Sequence, residues 1–248
     1  MKIQPVTKER LAKFKEPSVD ENARRFIEEK NLVWNPVTMS YDCEVSVRVT
    51  EDIVTDGKLK IRFGKVGGYF MCHNNNLTSL EGAPNEVGYG FNCSRNKLTT
   101  LEGAPKIVGK SFICDHNKLT SLEGAPNEIG GDFDCDFNNL TTLEGAPQYI
   151  IGEFCCSHNK LTTLKGAPNK VGGVFNCSRN KLTTLEGAPR KVGEGFFCEH
   201  NKLTTLKGAP NKVGGSFHCN NNKKLTSLEG APKEIGGIIE SSINPLDK

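Results

Sequence analysis

The chain repeats one pattern of residues every 21 positions, and this repeat constrains the fold more than any other feature. Eight cysteines mark it: Cys72, Cys93, Cys114, Cys135, Cys156, Cys177, Cys198 and Cys219. Each has Phe two residues before it and Asn three residues after it, followed by leucines and a Gly-Ala-Pro segment. A repeat of this length is too short to bury its own core, so successive repeats have to stack. The sequence therefore predicts a solenoid.

Within each repeat, the Phe-x-Cys segment predicts a short β-strand that points Phe and Cys inward and the residues between them outward. Stacking aligns these strands in a parallel sheet. Proline and glycine in the Gly-Ala-Pro segment exclude a regular helix, so the return path should be extended or tightly turned. We expect the repeated Asn to bond backbone groups of its own and adjacent turns, since a buried amide without partners costs about 1–3 kcal/mol.

The frame F-x-C-x-x-N-x-L-x-x-L resembles the leucine-rich repeat, and the wording LTSLEGAP with VGG is similar to leucine-rich repeat proteins that bacteriophages encode. The resemblance runs from Val66 to Leu246. It implies a right-handed coil with a parallel β-sheet on the concave face and a helix-poor convex side. The chain departs from the common form at Val87, Val108 and Ile129, which stand four residues before Phe.

Three segments are predicted along the chain: a helical N-terminal cap over residues 1–40, a degenerate first rung over 41–65, and eight repeats with a truncated ninth over 66–248. The terminal segments have to cover a core that lacks a neighbour on one side. In the ninth rung, Ile239 takes the position of Phe and Asn244 that of Asn. This C-terminal edge is lightly protected, so we expect a monomer or an edge-mediated homodimer.

The N-terminal segment contains one predicted helix and one predicted strand. Ser18-x-x-Glu21 resembles a capping box, which predicts a helix from Val19 to Lys30. Its apolar face consists of Val19, Ala23, Phe26 and Ile27. The predicted strand is marked by the alternating Val45, Val47 and Val49.

Composition and charge limit the classes of partner. The chain is 36% hydrophobic and 25% charged, with a net charge of +3 made of interspersed signs, which requires neither a nucleic acid nor a membrane partner. Residues 1–15 lack the apolar core of a signal peptide, so we expect a cytoplasmic protein, in a bacterial host cell if a phage encodes it. Eight of the ten cysteines recur at a fixed interval, which indicates architecture and not a disulfide framework.

Outward positions vary between repeats, whereas inward positions hardly change, so any specificity has to lie outside. At roughly 4.8 Å per strand, eight rungs present a surface about 40 Å long. Its middle is acidic and carries apolar side chains, a combination typical of protein-binding hot spots. The predicted binding residues are Asp115, Asp132, Asp134, Asp136, Phe137, Glu153, Phe197, Arg95 and Arg179. Neutral drift on a solvated face is the alternative interpretation.

Two arrangements imitate metal sites but fail on geometry. The motif Asp132-x-Asp134-x-Asp136 resembles a calcium loop, yet Phe137 stands where such a loop needs glycine. The second arrangement is the column of His116, His158 and His200. These are two rungs apart, roughly 10 Å, which is too far for one zinc ion. We therefore predict no metal site.

No catalytic nucleophile with its base, no phosphate loop and no cofactor fingerprint occurs in the sequence, so we predict no enzyme and no cofactor. The regularly spaced thiols are expected to act as small inward hydrophobes. Cys43 and the outward Cys155 are the only thiols expected to react.

Two further columns suggest other partners. The first consists of Lys97, Lys118, Lys160, Lys181, Lys202 and Lys223, which with nearby arginines suits a phosphate backbone. Glutamates five residues further on cancel part of this field, so nucleic acid is not the expected partner. Threonine pairs such as Thr99-Thr100 form the second column, and such arrays on solenoids can match ice. A turn preference for β-branched polar residues is the simpler explanation.

The sequence favours a non-enzymatic, protein-binding solenoid. The resemblance to phage proteins implies a bacterial partner, such as a host defence protein that the solenoid blocks by steric occlusion. The alternative on the same fold is a structural or scaffold protein of a virion.

Overall fold

A computed structural model describes residues 15–243 of the chain. These residues wind into a β-solenoid of about 10 turns with parallel sheets and a period of ~21 residues, as the repeat predicts. The part of the chain described contains one α-helix, Glu21–Glu29 (α1), and one 3-10 helix, Glu51–Ile53. No helix in this part is long and apolar enough to cross a membrane.

A ten-stranded parallel sheet, which we call the Phe sheet, contains the predicted strand of every repeat. Its strands are Val47–Arg48, Phe70–Met71, Phe91–Asn92, Phe112–Ile113, Phe133–Asp134, Phe154–Cys155, Phe175–Asn176, Phe196–Phe197, Phe217–His218 and Ile239–Glu240. Each Phe lies in register with the Phe of the next turn, as Phe91 does with Phe112. Val47 takes the same position in the first strand, opposite Phe70.

The return path is extended or tightly turned, as expected. It also pairs into two further sheets, in which the strands of the repeats end on the Val or Ile four residues before Phe. The first Val sheet contains Val33–Asn35, Ser40–Cys43, Phe63–Val66, Glu86–Val87, Ile107–Val108 and Glu128–Ile129. The second Val sheet contains Tyr149–Ile150, Lys170–Val171, Lys191–Val192, Lys212–Val213 and Glu234–Ile235. A separate hairpin joins Val54–Thr55 to Lys58–Leu59.

One hydrophobic core runs between these sheets. The rings of Phe70 through Phe217 stack in a single column, with neighbouring centroids 5.2–5.6 Å apart and ring planes within 6–14° of parallel. The eight regularly spaced thiols are free and at most 1% exposed. The prediction that Phe and Cys fill the interior is confirmed.

The repeated Asn forms a buried ladder of hydrogen bonds that links successive turns. Asn117 shows the pattern: its Nδ2 donates to the carbonyl oxygens of Cys93 (3.0 Å) and Cys114 (3.1 Å). Its Oδ1 accepts from the backbone N–H of Leu98 in the preceding turn, at 3.0 Å. This confirms the expected role of the Asn column.

The two Val sheets divide at the turn that contains Ile151. The position after each Val or Ile strand is otherwise glycine, and a Cβ built on these glycines falls close to a carbonyl oxygen of the preceding turn. At Gly172 the added Cβ lies 2.0 Å from the oxygen of Ile151, a distance that real side chains cannot adopt. Ile151 carries a Cβ at this position, and it is here that the strand Tyr149–Ile150 fails to pair with Glu128–Ile129.

The N-terminal helix begins later than the sequence pattern indicates. Helix α1 starts after Asp20, whose carboxylate accepts from the backbone N–H of Ala23 at 2.8 Å, so the predicted capping box at Ser18 is wrong. Asp20 is preferred because its side chain reaches a free N–H of the first turn. The predicted apolar face is confirmed, since Ala23 and Phe26 are buried and the other two residues pack against the core.

The alternating valines and the C-terminal edge also have defined positions. Val47 and Val49 are buried, whereas Val45 is 58% exposed and lies outside the core. Ile239 pairs with Phe217 as predicted for a further rung, but it is 39% exposed. The predicted position of Asn244, and the part of the predicted cap at residues 1–14, lie outside the described residues.

Candidate functional site

The outward side chains around Cys135 form the most distinctive surface on the Phe sheet. The strand Phe133–Asp134 buries its Phe and leaves Asp134 half-buried on the outer face. Directly after Cys135, Asp136 is half-buried and Phe137 is 42% exposed. The repeated residues therefore fix the backbone here, whereas the variable residues between them determine the charge and polarity of the surface.

Three rings stack on the outside of the solenoid, and we call His116, Phe137 and His158 the aromatic stack. The Phe137 centroid lies 4.3 Å from that of His116 and 4.0 Å from that of His158, with ring planes within 17° of parallel. The position two residues after Cys has φ of 50–58° in all eight repeats. This left-handed backbone aims the side chains of successive turns in one direction, which brings the rings together.

Five carboxylates lie in the same three turns as this stack, and we call Asp115, Asp132, Asp134, Asp136 and Glu153 the acidic patch. Cys155, opposite Asp134 on the next strand, lies among them. Burial raises the pKa of the Cys155 thiol, and the charges of Asp136, Asp134, Glu153 and Asp132 raise it further. The structure thus brings together four of the predicted acids around a single side chain.

Two members of the acidic patch are held partly buried. Burial raises the pKa of Asp134 to about 7, although a hydrogen bond from the Asp136 N–H (2.9 Å) opposes the shift. Burial also raises the pKa of Asp136, against hydrogen bonds from Ser157. Because both carboxylates face Asp115, the patch concentrates negative charge that its own hydrogen bonds only partly offset.

The other acids are tied to neighbouring groups. Asp115 Oδ2 lies 2.6 Å from His116 Nδ1, which connects the acidic patch to the aromatic stack. Asp132 accepts from the backbone N–H of Glu153 at 2.9 Å and from the Ser111 hydroxyl at 3.1 Å. Asp132 therefore also links its own turn to the turns before and after it, whereas the Glu153 side chain is exposed.

Three predicted binding residues lie at the margins of this surface or outside it. Arg95 and Arg179 are exposed and occupy the same column as the aromatic stack, one turn before His116 and one turn after His158. Burial lowers the pKa of His158, and the charge of Arg179 lowers it further. Phe197 is three turns away from Phe137 and packs edge-on against His218, with centroids 4.7 Å apart. The structure does not bring Phe197 to the patch.

His116 and His158 belong to the surface, although sequence reasoning considered them only as metal ligands. Their shared position in the repeat could have indicated this, because it places them on the turns before and after Phe137. Their rings lie on either side of the Phe137 ring and are not directed at a common ion. Among residues 15–243, no group of three or more His, Cys, Asp or Glu side chains is placed to hold a metal ion.

The expectation that Cys43 and Cys155 react is wrong on physical grounds. Cys43 is 5% exposed, and its thiol lies 3.5 Å from the carbonyl oxygen of Val45. Cys155 is half-buried among carboxylates that disfavour its thiolate. Since the thiolate is the reactive form, neither cysteine has the environment of a reactive thiol.

Comparison with known proteins adds no assignment. No protein family model matches the chain, and neither a curated protein nor a solved structure matches it.

Proposed function

We propose that the chain is a non-enzymatic, protein-binding solenoid, and that the aromatic stack and acidic patch form its binding surface. The observation that carries the proposal is an ordered, exposed ring, Phe137, held between two histidines and beside clustered carboxylates. Such a ring loses little conformational freedom when a partner covers it, because its neighbours already fix it. Aromatic residues at the centre of a contact, surrounded by charge, are typical of binding hot spots.

The partner that fits this surface is a protein with an apolar side chain next to basic residues. The apolar side chain would cover the Phe137 ring, and the basic groups would face Asp134, Asp136 and Glu153. Charge complementarity of this kind accelerates encounter and selects the partner. Ionised carboxylates are needed for it, so the pKa of about 7 at Asp134 makes the contact stronger at alkaline than at acidic pH.

The finer assignment rests on the resemblance of the repeat. In this assignment, the chain is a cytoplasmic protein of the leucine-rich-repeat type that a phage encodes. The Phe sheet is its concave face. The helix α1 caps the first turn, since Phe26 packs on Phe63 at its end. The partner is a bacterial host or defence protein, and binding blocks it by steric occlusion.

The repeat itself supplies the variant that tests this proposal. The segments Asn92–Arg95 and Asn176–Arg179 both read Asn-Cys-Ser-Arg, where the patch reads Asp-Cys-Asp-Phe. The triple change Asp134→Asn, Asp136→Ser and Phe137→Arg therefore installs residues that the same backbone already accommodates. A control, Glu102→Lys with Glu123→Lys, adds four units of positive charge elsewhere against three in the triple change, using the residue that Lys165 and Lys207 provide in that column.

The measurement is affinity capture from bacterial lysate followed by mass spectrometry. We expect wild type and the control to capture the same protein, and the triple variant to lose it, with at least a ~10-fold drop in affinity once that protein is purified. Capture that is equal for all three proteins would place the binding surface elsewhere. Absence of any captured protein would contradict the proposed function in this host.

A further inference from the structure

A column of outward residues runs along the Val sheets, and opposite charges pair at both of its ends. Its members are Lys65, Glu86, Ile107, Glu128, Tyr149, Lys170, Lys191, Lys212 and Glu234. At one end, Lys65 lies opposite Glu86, with Nζ and Oε1 2.8 Å apart. At the other, Lys212 lies opposite Glu234, with Nζ and Oε2 2.8 Å apart. The column therefore has the geometry to form ion pairs between successive turns.

Three lysines follow Tyr149 in this column and lie directly opposite each other. Lys170 is in register with Lys191, and Lys191 with Lys212. Among the described residues, no carboxylate forms an ion pair with Lys170 or Lys191, and Arg190 lies exposed beside them. Like charges directly opposite each other destabilise a sheet. We call Lys170, Arg190 and Lys191 the basic strip.

Two exposed apolar side chains border the basic strip at its N-terminal end. Tyr149 is 72% exposed and lies directly opposite Lys170, and Ile151 is 71% exposed. Both belong to the turn where the two Val sheets separate. The strip thus joins uncompensated positive charge to apolar surface, on different sheets from the acidic patch.

We propose that the basic strip is a second interaction surface, which binds an acidic segment of a partner protein. Uncompensated lysines in neighbouring turns supply the attraction, and a carboxylate-rich segment removes the like-charge repulsion between them. Tyr149 and Ile151 would cover an apolar side chain of the same segment. Tyr149 supplies one aromatic ring beside the strip, whereas a groove for single-stranded nucleic acid stacks successive bases on several aromatic side chains, which favours a peptide.

The test uses fluorescence anisotropy with two labelled probes of equal charge, a peptide of glutamates around a central leucine and an oligothymidine. The binding variant is Lys170→Glu with Lys191→Glu. The matched control is Lys97→Glu with Lys118→Glu, which alters two exposed lysines in adjacent turns on another surface and changes the net charge equally. Tyr149→Ala tests the apolar part. Circular dichroism checks the fold, and Lys170→Gln with Lys191→Gln replaces the charge reversal if that variant unfolds.

We expect wild type and control to bind the peptide, the strip variant to bind it at least ~10-fold more weakly, and Tyr149→Ala to lose roughly 3-fold or more. Four results would overturn the proposal. Two concern the peptide: no binding at low ionic strength, or equal losses of peptide affinity in the strip variant and the control. The third is tighter binding of oligothymidine than of peptide. The fourth is a mass of the protein in solution that increases with its concentration in the wild type but not in the strip variant. The last would identify the occupant as a second copy of this chain. None of these results bears on the acidic patch, whose variants leave the strip unchanged.

Discussion

One side chain in each turn, the repeated Asn, holds together backbone groups that the strands leave unpaired. Asn117 bonds Leu98, Cys93, Cys114 and Asp115, and it is only 8% exposed. An amide provides one acceptor and two donors on a single planar group, so neither Asp nor Leu reproduces the pattern. Sequence reasoning predicted this role because a buried amide requires partners.

Replacing Asn117 by Ala tests the ladder. We expect the free energy of unfolding to fall by about 3 kcal/mol, because the Leu98 N–H and the buried carbonyl oxygens lose their partner. The control is Lys118→Ala at the adjacent exposed position, which should cost less than about 0.5 kcal/mol. Urea denaturation compares the two, and similar midpoints for both variants would contradict the assigned role.

Asp134 makes stability depend on pH in a defined direction. Its pKa is about 7 in the folded chain and 3.8 in the unfolded reference, so the folded state holds the extra proton between these values. Raising the pH from 4 to 7 therefore removes stability, and no further loss from this group follows above pH 7.

The change Asp134→Asn should therefore stabilise the protein by about 2 kcal/mol at pH 8, with little effect at pH 4. An amide keeps the hydrogen bond from residue 136, since Asn92 accepts from the Ser94 N–H at 3.0 Å in the equivalent place. Urea midpoints at the two pH values measure the difference. An equal effect at both would show that burial does not raise the pKa of Asp134.

At the scale of strands, the two Val sheets could be predicted only in part. The regular Val or Ile before Gly was visible as a departure from the leucine-rich pattern, and it marks the inward position of the Val sheets. Pairing of these strands was not visible, because two-residue strands carry no alternation of their own. Their pairing depends on the close approach of successive turns, which the glycine column permits.

Ile151 tests this explanation in both directions. Ile151→Gly should join the two Val sheets and slow amide hydrogen exchange at residues 150–152. The gain of hydrogen bonds, about 0.5–1.5 kcal/mol each, opposes the roughly 0.5–1 kcal/mol entropic cost of glycine. The opposite change, Gly172→Ala, should destabilise the protein by about 2 kcal/mol or more, because its Cβ meets the Ile151 oxygen. If Gly172→Ala were neutral and exchange at 150–152 unchanged in Ile151→Gly, the explanation would fail.

For the whole molecule, the period of the repeat was sufficient to predict a solenoid with Phe and Cys inside. The candidate surface was predicted in its charge but not in its geometry. The acidic residues could be read from the sequence, because they occupy variable positions of the repeat. The aromatic stack could not, because it depends on the left-handed backbone that aligns His116, Phe137 and His158. Phe197 has the right chemistry, yet it lies too many turns away.

The central claim is that all turns share one interior, filled by columns of identical residues, and native thiol titration with Ellman's reagent tests it most directly. The chain has ten cysteines, all of them free in the structure, and nine are buried. We predict that no thiol reacts rapidly in the native protein and that all ten react in denaturant. Rapid reaction of the eight regularly spaced thiols in the native protein would contradict a shared interior.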